Sequence, residues 1–340
     1  MENYIGVDLG KQSSYFVIKN HQGRLLVQMK VFDDRASIQK ALMPHTQNTA
    51  SKAVLEATCN YYWMYHELAR LGVEVILAHP LKTRAIADAK VKNDRLDATM
   101  LCDLLRADLI PQSYIPTDRI RNLRELTRQH VRLVQIRTKI KNQFHALLTR
   151  LNLRPTEQMS DTFGKKGRDW LRQTVMPDAF DFQKQQLIDQ LEYYNRLVYQ
   201  IDQKIRQSLT NYPEAKALMQ IPGIGPLGAA MLIAEIGEIE RFQFAKQLVG
   251  YAGIAPGLYE SGKTSHQRGI THEGNRFLRW ILCEICQHHI RKPGQLRDFY
   301  LRLKDKKGHG KAIIATARKF LIQIFYVLKE QRQFCPIFAG

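Results

Sequence analysis

Tyr4-Ile5-Gly6-Val7-Asp8-Leu9-Gly10 and, further along, Ala53-Val54-Leu55-Glu56-Ala57-Thr58 each run an apolar strand into a carboxylate. An ionised side chain at the end of a buried strand costs stability unless something neutralises it, so a cation is expected beside Asp8 and Glu56. The surroundings are β-rich. Ser14–Ile18 and Leu25–Val31 read as two more strands, joined by the turn signal Asn20-His21-Gln22-Gly23. A helix is expected near Ser37–Leu42, another over Tyr61–Leu71 closed by Gly72, and a strand over Val73–Leu77. Three antiparallel strands followed by alternating helix and strand predict a mixed α/β sheet.

The chain has 340 residues, enough for two or three domains, and its 44 % hydrophobic content suits a globular core. Charge is its unusual property. Lys and Arg number 51 against 32 Asp and Glu, a net of +19. Residues 119–154 hold ten Lys/Arg and one acid, Glu125, while residues 262–332 hold sixteen Lys/Arg and five acids. The remainder is close to neutral. Basic blocks of this kind read as phosphate-binding surfaces, so nucleic acid is the expected partner. No uncharged run approaches a membrane span and the N-terminus lacks a signal-peptide pattern. Five scattered Cys give no disulfide framework, which points to a reducing, cytoplasmic location.

From Thr117 the pattern turns helical. Thr117-Asp118 can cap a helix reaching about Leu151, with Leu126, Leu133, Ile140 and Leu147 spaced by heptads. Leu187, Leu191, Tyr194, Val198, Ile201, Ile205, Ser208 and Tyr212 form a second heptad seam. A coiled-coil arm that pairs with another copy is expected, beside the plain alternative of a stripe packed inside one bundle. After Pro213, Lys216–Ile221, Pro222-Gly223-Ile224-Gly225-Pro226 and Leu227–Ile236 read as a helix-hairpin-helix. In that reading Gly223 and Gly225 admit a phosphate to the second helix's N-terminus; an ordinary helical turn is the alternative.

Asp94 and Asp97, in Asn93-Asp94-Arg95-Leu96-Asp97-Ala98, share one face if this stretch is helical. With Asp8 and Glu56 they make four carboxylates able to hold two Mg²⁺ against a phosphodiester. Singly, Asp8 reads equally well as a turn residue and Asp94 and Asp97 as helix-surface acids.

The succession Asp-Leu-Gly, Leu-Glu-Ala-Thr, Asn-Asp-Arg-Leu-Asp-Ala, a basic helical arm and Pro-Gly-Ile-Gly-Pro resembles the DEDD transposases of the insertion-sequence-110 family over essentially the whole chain. Tyr251-Ala252-Gly253-Ile254-Ala255-Pro256, Glu260-Ser261-Gly262-Lys263, Arg268-Gly269-Ile270-Thr271 and Gly274-Asn275-Arg276-Phe277-Leu278-Arg279 are similar to the family's C-terminal transposase domain. The resemblance implies a ribonuclease-H-like domain over 1–112, like that of RuvC-type junction resolvases, which the strand order also fits. It implies a helical arm over 113–212 and a mainly helical transposase domain over 213–340. It implies a serine that attacks DNA, assisted by Mg²⁺ on Asp8, Glu56, Asp94 and Asp97. It further implies a guide RNA that pairs with donor and target DNA, and a homo-oligomer, dimeric or tetrameric in the synaptic complex, in a bacterial or archaeal nucleoid.

Ser261 matches the nucleophile's position and Ser265 is the alternative; Glu260 departs from the family, where a second serine is common. Arg128, Arg132, Arg137, Lys139 and Lys141 of the basic helix are expected on nucleic acid. Lys263, Arg268, Arg276 and Arg279 are expected near the scissile phosphate or on more distant ones. Cys283, Cys286, His288 and His289 lack a second Cys pair and are not read as a zinc site, and Trp280 is read as helix core. The amphipathic, basic helix Arg318–Leu328 is read as a DNA contact, not a membrane one. Two other functions remain open on the residues alone: a resolvase-like endonuclease using the carboxylates and water, and an architectural binder without catalysis.

Overall fold

The structure, a computed structural model, describes residues 2–58, 60–86, 93–155, 159, 161–261, 264–270 and 274–330, with side chains of 257–261 and 264–268 excepted. The chain divides into two compact units, Met1–Ile115 and Pro116–Gly340. Of the expected arm, 113–212, residues 116–212 lie within the second unit.

In the first unit, β1 (Glu2–Asp8), β2 (Ser13–Asn20) and β3 (Leu25–Phe32) form an antiparallel meander. Asn20 Oδ1 accepts from the backbone N–H of Gln22 and Arg24, and Gly23 takes φ +82°, so the predicted turn forms. After α1 (Arg35–Thr46), β4 (Ala50–Glu56) returns parallel to β1. Then α2 (Tyr61–Arg70) leads to β5 (Glu74–Ala78), parallel to β4. The sheet order β3-β2-β1-β4-β5 agrees with the ribonuclease-H-like expectation. Short α3 (Pro80–Ile86) and longer α4 (Asp94–Arg106) complete the unit.

Alternation puts Ile5, Val7, Phe16, Ile18 and Leu55 on one face of the sheet, with Ile38, Leu42, Met64 and Leu68 of α1 and α2. Val54 and Val17 face the other way, toward Leu101, Leu105, Ala98 and Cys102 of α4. Both faces are covered, as a sheet containing parallel strands requires.

The second unit begins with α5 (Asp118–Arg150), followed by α6 (Lys165–Gln173) and α7 (Asp178–Ser208). At one end of the α5–α7 pair Leu187 and Leu191 pack with Ile140, Phe144 and Leu147; at the other Ile205 joins Leu123 in the unit's main core. The helices thus run antiparallel, and the heptad seam is consumed within one chain. This corrects the expectation that the seam pairs with another copy: the return helix is already the partner.

Six further helices follow: α8 (Glu214–Met219), α9 (Pro226–Ile236), α10 (Ala245–Tyr251), α11 (Arg276–His289), α12 (Gln295–Lys307) and α13 (His309–Glu330). Every residue of α9 from Gly228 to Ile236 is buried, as expected for an Ala/Ile/Leu-rich helix at a core's centre. Between α10 and α11 stand β6 (Pro256–Ser261) and β7 (Thr264–Ile270), an antiparallel hairpin. Among the described residues, no helix is long and apolar enough to cross a membrane.

Candidate active site

Asp8 and Glu56 are the last residues of β1 and β4, adjacent parallel strands paired up to Val7 and Leu55. The next register position sets the two carboxylates side by side, one strand spacing of about 4.8 Å apart in backbone. Both are half-buried.

The position of α4 follows from Gly6. A Cβ there would fall 2.0 Å from the Ala98 carbonyl oxygen and 2.8 Å from Cys102 Cβ. Only glycine permits so close a helix–strand contact. Cys102 Sγ lies 3.2 Å from the carbonyl oxygen of Tyr4. The helix therefore runs opposite to β1, with its N-terminal turn toward the sheet edge that ends in Asp8. Asn93 caps it, accepting from Arg95 N, and the acids of the first turn, Asp94 and Asp97, suit the positive end of the helix dipole. Asp97 is half-buried and Asp94 exposed. The same edge is tied down by Asn60, whose Nδ2 donates to the Gly10 carbonyl at 2.6 Å.

Asp8 and Glu56 thus end neighbouring strands, and Asp94 and Asp97 open the helix that packs across them. Their oxygens are the donors a hard divalent cation takes. They are not drawn into a closed ligand shell: among the described residues, no group of three or more His, Cys, Asp or Glu could hold a metal ion.

The second predicted feature, Ser261, is the last residue of β6, at the end of the hairpin, and its backbone pairs with Thr264. Ser265 pairs with Glu260, so the two candidate serines occupy alternate register positions. A hairpin carries them. The side chains of Ser261, Ser265 and Arg268 lie outside the described residues, as does Lys263 entirely.

What anchors this hairpin is well defined, and sequence reading missed it. Gly274, at φ +151°, sits where a Cβ would meet Gly253 N at 2.6 Å and the Tyr251 carbonyl at 2.7 Å. Asn275 N donates to that carbonyl at 2.8 Å. The Tyr-Ala-Gly and Gly-Asn-Arg motifs, twenty-odd residues apart, therefore pack together and close the hairpin's base. Asn275 also caps α11, with Oδ1 accepting from Phe277 N and Leu278 N, and donates through Nδ2 to Glu235 Oε2 at 2.7 Å.

Glu235 is fully buried, and Arg128 grips it with Nε and Nη2 at 2.8 and 2.9 Å. Arg124 approaches at 3.7 Å and donates to the Ala234 carbonyl. Burial alone would lower the Arg128 pKa; the hydrogen bonds to Glu235 raise it. A lone acid in the apolar run Leu232-Ile233-Ala234-Glu235-Ile236, with arginines four apart on α5, was the available signal.

Several residues expected on nucleic acid have partners within the chain. Arg128 is committed to Glu235. Arg137 reaches Asn195 on α7 at 3.4 Å, Lys141 lies over the Phe163 ring, and Arg279 donates to the Ala252 carbonyl. Arg132, Lys139 and Arg276 are exposed. Gly223 does need its left-handed φ of +93°, but for packing: a Cβ would press within 3.0 Å of His289 N on α11. Gly225 opens α9 with nothing within 4 Å of a Cβ position. Trp280 is 39 % exposed, not core. It lines a cavity of about 460 Å³ beside Gly225, His130 and Arg206.

A mixed sheet with carboxylates at one edge, followed by a helical unit rich in basic residues, is the class of an enzyme that processes nucleic-acid phosphodiesters. A DEDD-type transposase family model matches residues 5–153, and the model described as transposase IS116/IS110/IS902 family matches residues 215–301. The chain is 23 % identical to the transposase for insertion sequence element IS1328 of Yersinia enterocolitica, over 96 % of both chains. It is 22 % identical to an uncharacterized 44.8 kDa protein of insertion element IS116 from Streptomyces clavuligerus, over 98 % of this chain and 96 % of the relative. It is 33 % identical to the pilin gene-inverting protein of Moraxella bovis, over 43 % of this chain and 48 % of that one. The chain belongs to the IS116/IS110/IS902 transposase family and is a DNA transposase.

Proposed function

We propose that this transposase cuts and rejoins DNA through Ser261, with Asp8, Glu56, Asp94 and Asp97 holding Mg²⁺, and that a non-coding RNA selects donor and target. The observation that carries the reading is the anchored hairpin. A nucleophile must be held against its target atom, and Ser261 ends a strand whose base is fixed by Gly274 and Asn275. The serine oxygen forms a bond to phosphorus, the deoxyribose oxygen leaves and takes up a proton, and reversal on a second strand completes exchange. Because each ester is exchanged for another, no nucleotide triphosphate is consumed. Bound Mg²⁺ would supply charge neutralisation at the phosphodiester. Arg132, Lys139 and Arg276, together with Lys263 and Arg268, serve as phosphate contacts. The working assembly is a homo-oligomer with the functional parts 1–112, 113–212 and 213–340; the helix-hairpin-helix reading of 216–236 rests on Gly225.

The test is denaturing electrophoresis of reactions on labelled DNA, followed by peptide mapping. A DNA-linked peptide containing Ser261, absent in Ser261→Ala, is expected. Mapping to Ser265 moves the nucleophile by four residues. Full cleavage by the double Ser261→Ala/Ser265→Ala variant replaces serine chemistry with water.

A further inference from the structure

Five of the six residues Tyr61-Tyr62-Trp63-Met64-Tyr65-His66 carry aromatic rings, and they open α2. The helix's inward face is accounted for by Met64 and Leu68, buried under the sheet, and by Glu67, held by Arg35 and Arg70. Tyr61 and Tyr65 flank that core. Tyr62, Trp63 and His66, at positions i, i+1 and i+4, belong to the outward face. The Tyr62 and His66 rings meet edge-on at 4.5 Å, Tyr65 meets His66 at 5.3 Å, and Trp63 remains 38 % exposed. So many rings at a helix's outer face exceed what packing requires.

Their location is the second observation. Only residues 57–60 separate Glu56 from α2, and Asn60 is bonded at once to Thr58 and to the Gly10 carbonyl, two residues beyond Asp8. The ring-bearing first turn is thereby pinned to the carboxylate edge.

We propose that Tyr62, Trp63 and His66 form a stacking platform for an unpaired base of the DNA strand whose phosphodiester lies at the carboxylate edge. This rests on the proposed function in placing DNA at that edge. The chemistry is that of single-strand binding: an aromatic face stacks on any base with little sequence preference. It suits an enzyme whose strands leave the duplex during exchange, because a base taken out of its pair gives up one stacking partner and gains another. It also gives the first unit a means of holding DNA that its near-neutral composition otherwise lacks.

The experiment uses full-length protein in which Trp170 and Trp280 are replaced by Phe, so that Trp63 is the only indole. A short single-stranded oligonucleotide is titrated without divalent metal, which separates binding from cleavage. Quenching of Trp63 fluorescence is expected. Trp63→Ala should weaken single-strand binding about 10-fold, the equivalent of removing one ring from beneath one base. Trp63→Phe should restore part of it, and affinity for a fully paired duplex should change less than about 2-fold on the same grounds. Unchanged single-strand affinity in Trp63→Ala, or equal weakening on duplex, overturns the platform while leaving the transposase reading intact. Quenching that follows protein concentration without oligonucleotide assigns the rings to a second copy and also overturns it. No DNA binding by the parent protein removes both readings. Should Trp63→Ala fail to fold, the Trp63→Phe affinity, read by anisotropy of a labelled oligonucleotide, together with the quenching of Trp63 in the parent, decides the matter.

Discussion

Two sets of carboxylates in this molecule have the same chemistry and opposite fates. Glu235 lies at the centre of the second unit with no exposure, and Arg128, Arg124 and Asn275 converge on it. Asp8, Glu56, Asp94 and Asp97 lie at the rim of the first unit, exposed or half-buried. A buried acid surrounded by its own chain's donors is a structural joint, because removing one partner strands the other charge. Acids gathered at a sheet edge keep faces turned to solvent and can take a ligand. The difference separates an acid that holds the fold together from the acids proposed to hold a metal ion.

The comparison breaks most readily at Asp8. Asp8→Asn should lower DNA cleavage by roughly 10³-fold or more, as removal of a metal-holding charge does. Its thermal midpoint should stay within about 2 °C of the parent, since Asn keeps the shape of a half-buried side chain at a strand's end. Cleavage near the parental rate would show that the edge acids do no chemistry.

Glu235 should behave in the reverse way. Glu235→Ala leaves two partly buried guanidinium groups without their carboxylate and should cost about 3 kcal/mol, read by denaturant unfolding. Combining it with Arg128→Met should recover a large part of that deficit. An additive double variant would mean that the pair is not coupled.

The arginines and lysines sort by the same test at smaller amplitude. Arg132→Gln with Lys139→Gln should reduce the slope of log affinity against log salt by about 0.9 for each phosphate that is no longer neutralised. Arg128→Gln should leave the slope unchanged, whatever it does to stability. A flattened slope there would return Arg128 to the nucleic-acid surface.

The smallest effect is expected at His130, where Nε2 meets Asp202 at 3.2 Å and Nδ1 is buried without a hydrogen-bond partner. Burial lowers the His130 pKa, opposed by Asp202 and aided by Arg137. A histidine whose folded pKa is depressed favours the folded state while neutral. That contribution is present above the unfolded value of about 6.5 and is lost as pH falls below it toward the folded value. His130→Gln should flatten stability between neutral pH and about pH 5, measured by urea unfolding at several pH values. An unchanged pH profile would remove His130 from the titrating groups.

The sequence by itself determined the first unit almost element for element. Period-2 alternation, the Asn20–Gly23 turn and the glycine after α2 are local signals, and each strand lies within a few residues of its expected place. It also put Asp8 and Glu56 each at the end of a strand, while their adjacency is a property of the folded sheet. Pattern could not tell whether the heptad seam faces another copy or its own chain, since a stripe of Leu and Ile is the same in both cases. Tertiary structure decided that, by folding α7 back on α5. It decided equally which basic residues face solvent: charge counts are indifferent to whether Arg128 meets a phosphate or Glu235, more than a hundred residues away. Such long-range partners leave no periodic trace, so only the packed chain reveals which charges are spent within the fold and which remain for DNA.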